Sequence, residues 1–138
     1  MSTRTGQCLC GAVKFTAEDV ETEFGVCHCV MCQRWAGGPF FSTTTGQVTF
    51  TGEEHLTRYP SSAWAERAFC SICGSNLYYR ITKLDNHEMC IGAFDNKDGL
   101  IMTSEIFADA KPAGFEFAGD HPRLTEQETL EKYVNFVE

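Results

Sequence analysis

Cys27-His28-Cys29-Val30-Met31-Cys32-Gln33-Arg34-Trp35-Ala36-Gly37-Gly38-Pro39-Phe40 is the stretch around which the chain organises itself. Three of the eight cysteines fall within six positions here. Successive side chains of an extended strand point to opposite faces, so Cys27 and Cys29 point the same way. A turn after Cys29 brings Cys32 back toward them. Three thiolates then converge on one point. Zinc favours four tetrahedral ligands, and three protein ligands leave one position open. Such a site is a working metal centre, where a closed set is structural.

A second set of cysteines lies outside this stretch. Cys70-Ser71-Ile72-Cys73-Gly74 is a tight knuckle whose two sulfurs face one centre. Alone it fits either zinc or a redox dithiol. Cys8 and Cys10 offer a matching pair, and two pairs far apart in sequence make a structural four-cysteine zinc. The redox reading wants a strand–helix–strand setting that the sequence lacks. Cys90 remains, in the apolar run Met89-Cys90-Ile91-Gly92-Ala93. It reads as a buried small hydrophobe, with a fourth ligand as the alternative. His28 sits between two ligand positions and so points away from the metal, as a packed or hydrogen-bonded histidine.

Between these cysteines the pattern is of short strands. Gly6–Thr16, Phe24–Cys29, Phe40–Thr45, Gln47–Thr51, His55–Tyr59, Ala65–Cys70, Asn76–Thr82, Glu88–Gly92 and Met102–Phe107 each read as strand. Phe40–Thr45 and Gln47–Thr51 look like a hairpin around Gly46. Val30–Trp35 forms one or two helical turns, ended by Gly37-Gly38-Pro39. Thr125–Val137 is a helix, with Thr125 and Glu128 as a capping box and Leu130, Val134 and Val137 on one face. The fold class is mainly β, with short helical turns and a C-terminal helix.

The chain has 138 residues, the size of one domain, so residues 1–138 are read as a single unit. Its net charge of −8, with 11 scattered Lys and Arg, excludes a basic face for nucleic acid or an anionic membrane. No run approaches the ~20 apolar residues that span a bilayer. The first residues carry no apolar signal segment, which predicts a cytoplasmic location where thiols stay reduced. Eight cysteines there point to metal before disulfides; secretion would reverse that preference.

Three stretches carry a resemblance. They are Gly6-Gln7-Cys8-Leu9-Cys10-Gly11-Ala12-Val13-Lys14-Phe15, the Cys27–Phe40 segment, and Phe69-Cys70-Ser71-Ile72-Cys73-Gly74-Ser75-Asn76-Leu77. Gly92-Ala93-Phe94-Asp95, Ile106-Phe107-Ala108-Asp109-Ala110-Lys111-Pro112 and Gly119-Asp120-His121-Pro122-Arg123 add looser matches. Together, over about Thr5 to Arg123, they resemble the glutathione-dependent formaldehyde-activating enzyme (GFA) family, also called the CENP-V/GFA family.

The resemblance implies an Mss4-like fold of coiled antiparallel sheets. It implies two zinc ions per chain, a structural one on Cys8, Cys10, Cys70 and Cys73 and a catalytic one on Cys27, Cys29 and Cys32. The implied activity is that of a carbon–sulfur lyase joining glutathione and formaldehyde into S-hydroxymethylglutathione, or cleaving it. A non-catalytic zinc-stabilised binding module is the competing reading. Family members carry Trp or paired aromatics after the Lys-Pro; here the chain reads Ala113-Gly114-Phe115-Glu116-Phe117. Gln33 and Arg34 are the candidate substrate contacts, Arg34 for a glutathione carboxylate, with Arg58 and Arg67 more distant. Trp35 lines the site or belongs to the core.

Overall fold

The computed structural model describes residues 2–134. Its strands are β1 (Ser2–Gln7), β2 (Lys14–Val20), β3 (Glu23–Cys27), β4 (Phe40–Thr45), β5 (Val48–Thr51), β6 (Leu56–Tyr59), β7 (Ala65–Cys70), β8 (Asn76–Ile81), β9 (His87–Cys90) and β10 (Ile101–Ile106). Helix α1 (Val30–Ala36) follows β3, and α2 (Glu126–Tyr133) comes last. β1, β2 and β5 form a three-stranded sheet. A seven-stranded sheet runs β10-β3-β4-β9-β8-β7-β6. Its pairs are antiparallel except β10 with β3, which run parallel. Among the described residues no helix is long and apolar enough to cross a membrane.

Phe15, Ala17 and Val20 of the small sheet share one buried cluster with Leu56, Ala68, Tyr78 and Met89 of the large one. The core therefore lies between the two sheets. Alternation then sends the neighbours of these residues to the other face of the large sheet. Tyr78 and Met89 pair across β8 and β9 in the core, and the next pair, Tyr79 and Glu88, lines a cavity on the opposite face.

Three expectations from the sequence need correction. Gly6–Thr16 is not one strand. The chain turns at Cys8–Gly11, where Cys8 N–H donates to Val13 O and Gly11 N–H to Cys8 O. The alternating pattern persisted because β1 and β2 are antiparallel neighbours on either side of the knuckle. Second, β4 and β5 are not a hairpin. β5 pairs with β2 in the small sheet while β4 pairs with β3 and β9 in the large one. Gly46 is the corner between sheets, and its N–H donates to Glu18 O.

The third concerns α2. Its capping box is present, with Glu128 N–H bonded to Thr125 Oγ1 and Thr125 N–H to Glu128 Oε1. However, Leu130 and Val134 are largely exposed, and the residue it buries is Thr129. Thr129 Oγ1 accepts from Phe107 N–H and donates to Thr125 O. A hydroxyl can replace an apolar contact there because the left-handed Phe107 (φ 53°) leaves its N–H needing a partner. Leu130 and Tyr133 instead face the cavity on the large sheet. Val137 lies outside the described residues.

Candidate metal and substrate site

Two cysteine clusters form, with the membership read from the sequence. Sγ atoms of Cys8, Cys10, Cys70 and Cys73 lie within 4.8 Å of one another, as do those of Cys27, Cys29 and Cys32. Both clusters can hold a metal ion. All eight cysteines are free of disulfides.

The four-sulfur cluster is built from two knuckles. Gly74 N–H donates to Cys70 O at 2.8 Å, and Gly74 takes φ 79°, a region that a side chain disfavours. Cys8 Sγ stands 3.6 Å from Cys10 Sγ, and Cys10 Sγ 3.8 Å from Cys70 Sγ. Sulfurs about 2.3 Å from a tetrahedral zinc are about 3.8 Å apart, so the cage has the size of the ion. Val13 N–H points at Cys8 Sγ, and Ser75 Oγ lies 3.2 Å from Cys73 Sγ. Hydrogen bonding from Ser75 holds the Cys73 thiol down at about 5. Cys8 and Cys70 belong to the core, so this cluster joins the small sheet to the large one.

The three-sulfur cluster sits where β3 passes into α1. Cys27 ends the strand, Cys29 caps the helix and Cys32 lies in its first turn, buried. Cys32 N–H donates to Cys29 Sγ at 3.3 Å, and Cys29 N–H to Cys27 Sγ at 3.5 Å. A thiolate at this N-cap is stabilised by the amide as well as by its neighbours. Accordingly, hydrogen bonds from Cys27 and then Cys32 pull Cys29 down to about 2. The same sharing pushes Cys27 far above the ordinary thiol range, because Cys29 holds the negative charge first. Gly37 at φ 80° ends α1, its N–H bonded to Gln33 O.

His28 does not join the thiols. It is 1% exposed, and its Nε2 lies 2.7 Å from Glu105 Oε1. Glu105 is fully enclosed and also meets His121 Nε2 at 2.6 Å and Arg123 Nε at 3.0 Å. Burial disfavours its charge, but hydrogen bonds from His121 and His28 and the Arg123 charge more than offset this and hold the carboxyl below its usual range. Phe115 and Phe117, the aromatics displaced in sequence after Lys111-Pro112, pack against the His28 ring at 6.2 and 5.9 Å. Cys90 stays apart as well, and burial pushes its thiol up to about 12.

Arg67, named from the sequence only as a more distant candidate for a substrate carboxylate, is instead a partner of the thiols. It is buried on β7, 35 residues from Cys32, yet both terminal nitrogens stand 3.6 Å from Cys32 Sγ. Trp35 and Tyr79 hold the guanidinium between them, ring centroids at 5.0 and 4.9 Å. Trp35 also packs on Phe40 at 5.4 Å and serves as wall behind the cluster rather than as lining of the cavity. The signal for Arg67 was its alternation with Ala65 and Phe69 on a strand facing inward, which a sequence cannot distinguish from a surface arginine.

Cys27 and Cys32 open onto a cavity of about 520 Å³ over the large sheet. Phe40, Trp64, Tyr79, Ile106 and Leu130 give it apolar walls. Neither Gln33 nor Arg34 lines it. Gln33 Nε2 donates to His28 O and Ala110 O, tying α1 to the turn after β10, while Arg34 is exposed.

The chain as a whole is similar to known proteins. The family model described as glutathione-dependent formaldehyde-activating enzyme matches residues 3–110. An uncharacterized lyase of Schizosaccharomyces pombe is 30% identical over 131 residues, covering 94% of this chain and 96% of that protein. A candidate glutathione-dependent formaldehyde-activating enzyme of Halomonas elongata is 32% identical over 83 residues, 53% of each chain. A crystal structure of a Rhodobacter sphaeroides protein shares the fold with TM-score 0.58, at 20% identity, over 86% of this chain and 98% of that one. The chain belongs to the glutathione-dependent formaldehyde-activating enzyme family.

Proposed function

We propose that the protein is a cytoplasmic, single-domain, zinc-dependent carbon–sulfur lyase acting on adducts of a small thiol with an aldehyde. Formaldehyde is the aldehyde that membership of the family brings forward. The observation that carries this reading is the three-thiol cluster bordering the cavity. Among the described residues no fourth Cys, His, Asp or Glu ligand atom joins it, so a metal there keeps a position for substrate. The four-thiol cluster is complete from the protein and serves the fold.

Cys27, Cys29 and Cys32 would hold the catalytic zinc. Bound there, zinc supplies a site at which a substrate thiol loses its proton readily. The chain's own groups do the rest. Arg67 offsets the negative charge gathered by three thiolates. The apolar walls exclude water from the reacting carbonyl, strengthening every charge interaction inside. In the synthetic direction a carbon–sulfur bond forms between the thiol sulfur and the aldehyde carbon, and the thiol proton ends on the carbonyl oxygen. Cleavage runs the same bond change backwards.

The test compares a thiol with its S-methyl thioether by titration calorimetry on protein loaded with zinc. The thiol should bind more tightly, and its affinity should rise with pH as proton release eases. NMR exchange should show adduct formation faster with protein than without, and Cys32→Ser should lose that gain while keeping the fold. If thiol and thioether bind alike, the lyase reading gives way to a zinc-stabilised binding module.

A further inference from the structure

The cavity has two chemically different ends. β3 sends Glu23, Gly25 and Cys27 into it from alternate positions. Four residue steps along the strand take Glu23 to Cys27, roughly 13 Å of rise. Between them the floor is a row of small residues, because Ser104 of β10 and Ser42 of β4 both pair with Gly25. A side chain at Gly25 would crowd Ser104 Oγ, at 3.1 Å from an added Cβ. The floor is thus an open trough leading away from the thiols.

At the far end the trough meets carboxylates. Glu21, Glu23 and Glu88 all line the cavity. Thr44 Oγ1 bonds Glu88 at 2.8 Å and holds it in place. Burial pushes the Glu88 carboxyl up to about 7, and repulsion from Glu21 adds to the rise. Its charge is therefore costly until a cation enters. Among the described residues, none lining the cavity is Lys, Arg or His. Arg67, the buried cation nearby, is engaged by Cys32 at the thiol end.

Glutathione brings two carboxylates and one ammonium. A site built for its carboxylates would place guanidinium or ammonium groups along the trough. This one does the opposite. We propose that the cavity selects a thiol whose far end is a cationic amine, roughly 10 Å from the sulfur, and disfavours carboxylate-bearing thiols, glutathione included. The proposal rests on the reading that substrate sulfur binds at Cys27, Cys29 and Cys32, and it narrows that reading to a substrate class.

The experiment uses three thiols of equal length that differ only at the far end: aminohexanethiol, mercaptohexanol and mercaptohexanoate. Each is titrated calorimetrically into zinc-loaded protein at low salt. The amine should bind roughly fivefold to tenfold more tightly than the alcohol, and the alcohol more tightly than the acid. Glu23→Gln and Glu88→Gln should each bring the ratio of amine to alcohol affinity toward one. Glu23 is exposed, so its variant keeps the test valid if the half-buried Glu88→Gln misfolds. Equal binding of the three, or tightest binding of the acid, overturns the substrate class and leaves the thiol-lyase reading standing. Failure of all three to bind overturns both.

Discussion

Arg67→Met is the substitution that most directly separates a tuned metal centre from a packed core. Methionine keeps the length and apolar stem but removes the charge. Both guanidinium nitrogens lie 3.6 Å from Cys32 Sγ. At that distance a unit charge pair is worth about 4–5 kcal/mol with an effective dielectric near 20. The net figure is smaller, because the buried guanidinium also gives up solvation, and hydrogen bonds to charged groups contribute about 1.5–3 kcal/mol. Taking about 2–3 kcal/mol, metal affinity of the three-thiol cluster should fall about 30- to 160-fold at neutral pH. Competition with a chromophoric chelator measures this, and the four-thiol cluster serves as internal reference because Arg67 does not touch it. Arg67→Lys should recover part of the loss, since it restores charge without the fork held between Trp35 and Tyr79. If Arg67→Met keeps its fold and binds metal within about threefold of the parent, the guanidinium is only filling space and the argument fails.

Other outcomes follow from the same geometry. Metal analysis of protein purified without chelator should find about two zinc ions per chain, one for each cluster. Cys73→Ser should lower the melting temperature far more than Cys32→Ser, because the four-thiol site joins residues 60 or more apart and the other closes a short loop. Equal losses would deny that division. Glu105→Gln should cost about 1.5–3 kcal/mol of unfolding free energy by weakening the charged hydrogen bonds to His28, His121 and Arg123. The Glu105 carboxyl is held low in the fold, so its contribution is present above pH 4.5 and fades as pH falls below that toward the folded value. Denaturation of the parent should therefore steepen with acid over that window, and that of Glu105→Gln less so. Thr129→Val should cost about 1–2 kcal/mol through the orphaned Phe107 amide, read by urea titration.

Local chemistry was legible in the chain. Cysteine spacing identified both clusters, and the capping box of α2 and the glycine stop of α1 could be read at their own positions. Partner choice was less so. β4 and β5 are adjacent and both alternate, which predicts a hairpin, yet each finds better burial in a different sheet. The Gly6–Thr16 pattern ran through a turn because the period of two does not record where a chain reverses. Leu130 looked like a core residue because a helix facing a cavity and one facing a core share the same apolar period. Arg67 and the carboxylates at the far end of the trough were invisible as a site because only sheet register brings β3, β4, β7 and β9 onto one face.

The parallel pairing of β10 with β3 also sets an order of assembly. Cys27 pairs with Ile106, and His28 N–H bonds Ile106 O, so the strand carrying the first thiol is completed by residues about 80 positions later. The hydrogen bonds within the four-thiol knuckles need nothing beyond Ser75. On a ribosome the four-thiol cluster can close while the three-thiol one still lacks its outer strand. Contacts of such wide sequence separation form late, since their loop-closure entropy must be met first. A nascent chain that has emerged only to β9 would present a closed four-thiol cluster beside an unfinished three-thiol one. Until β10 pairs with β3, Cys27, Cys29 and Cys32 are the thiols whose surroundings stay unfinished longest.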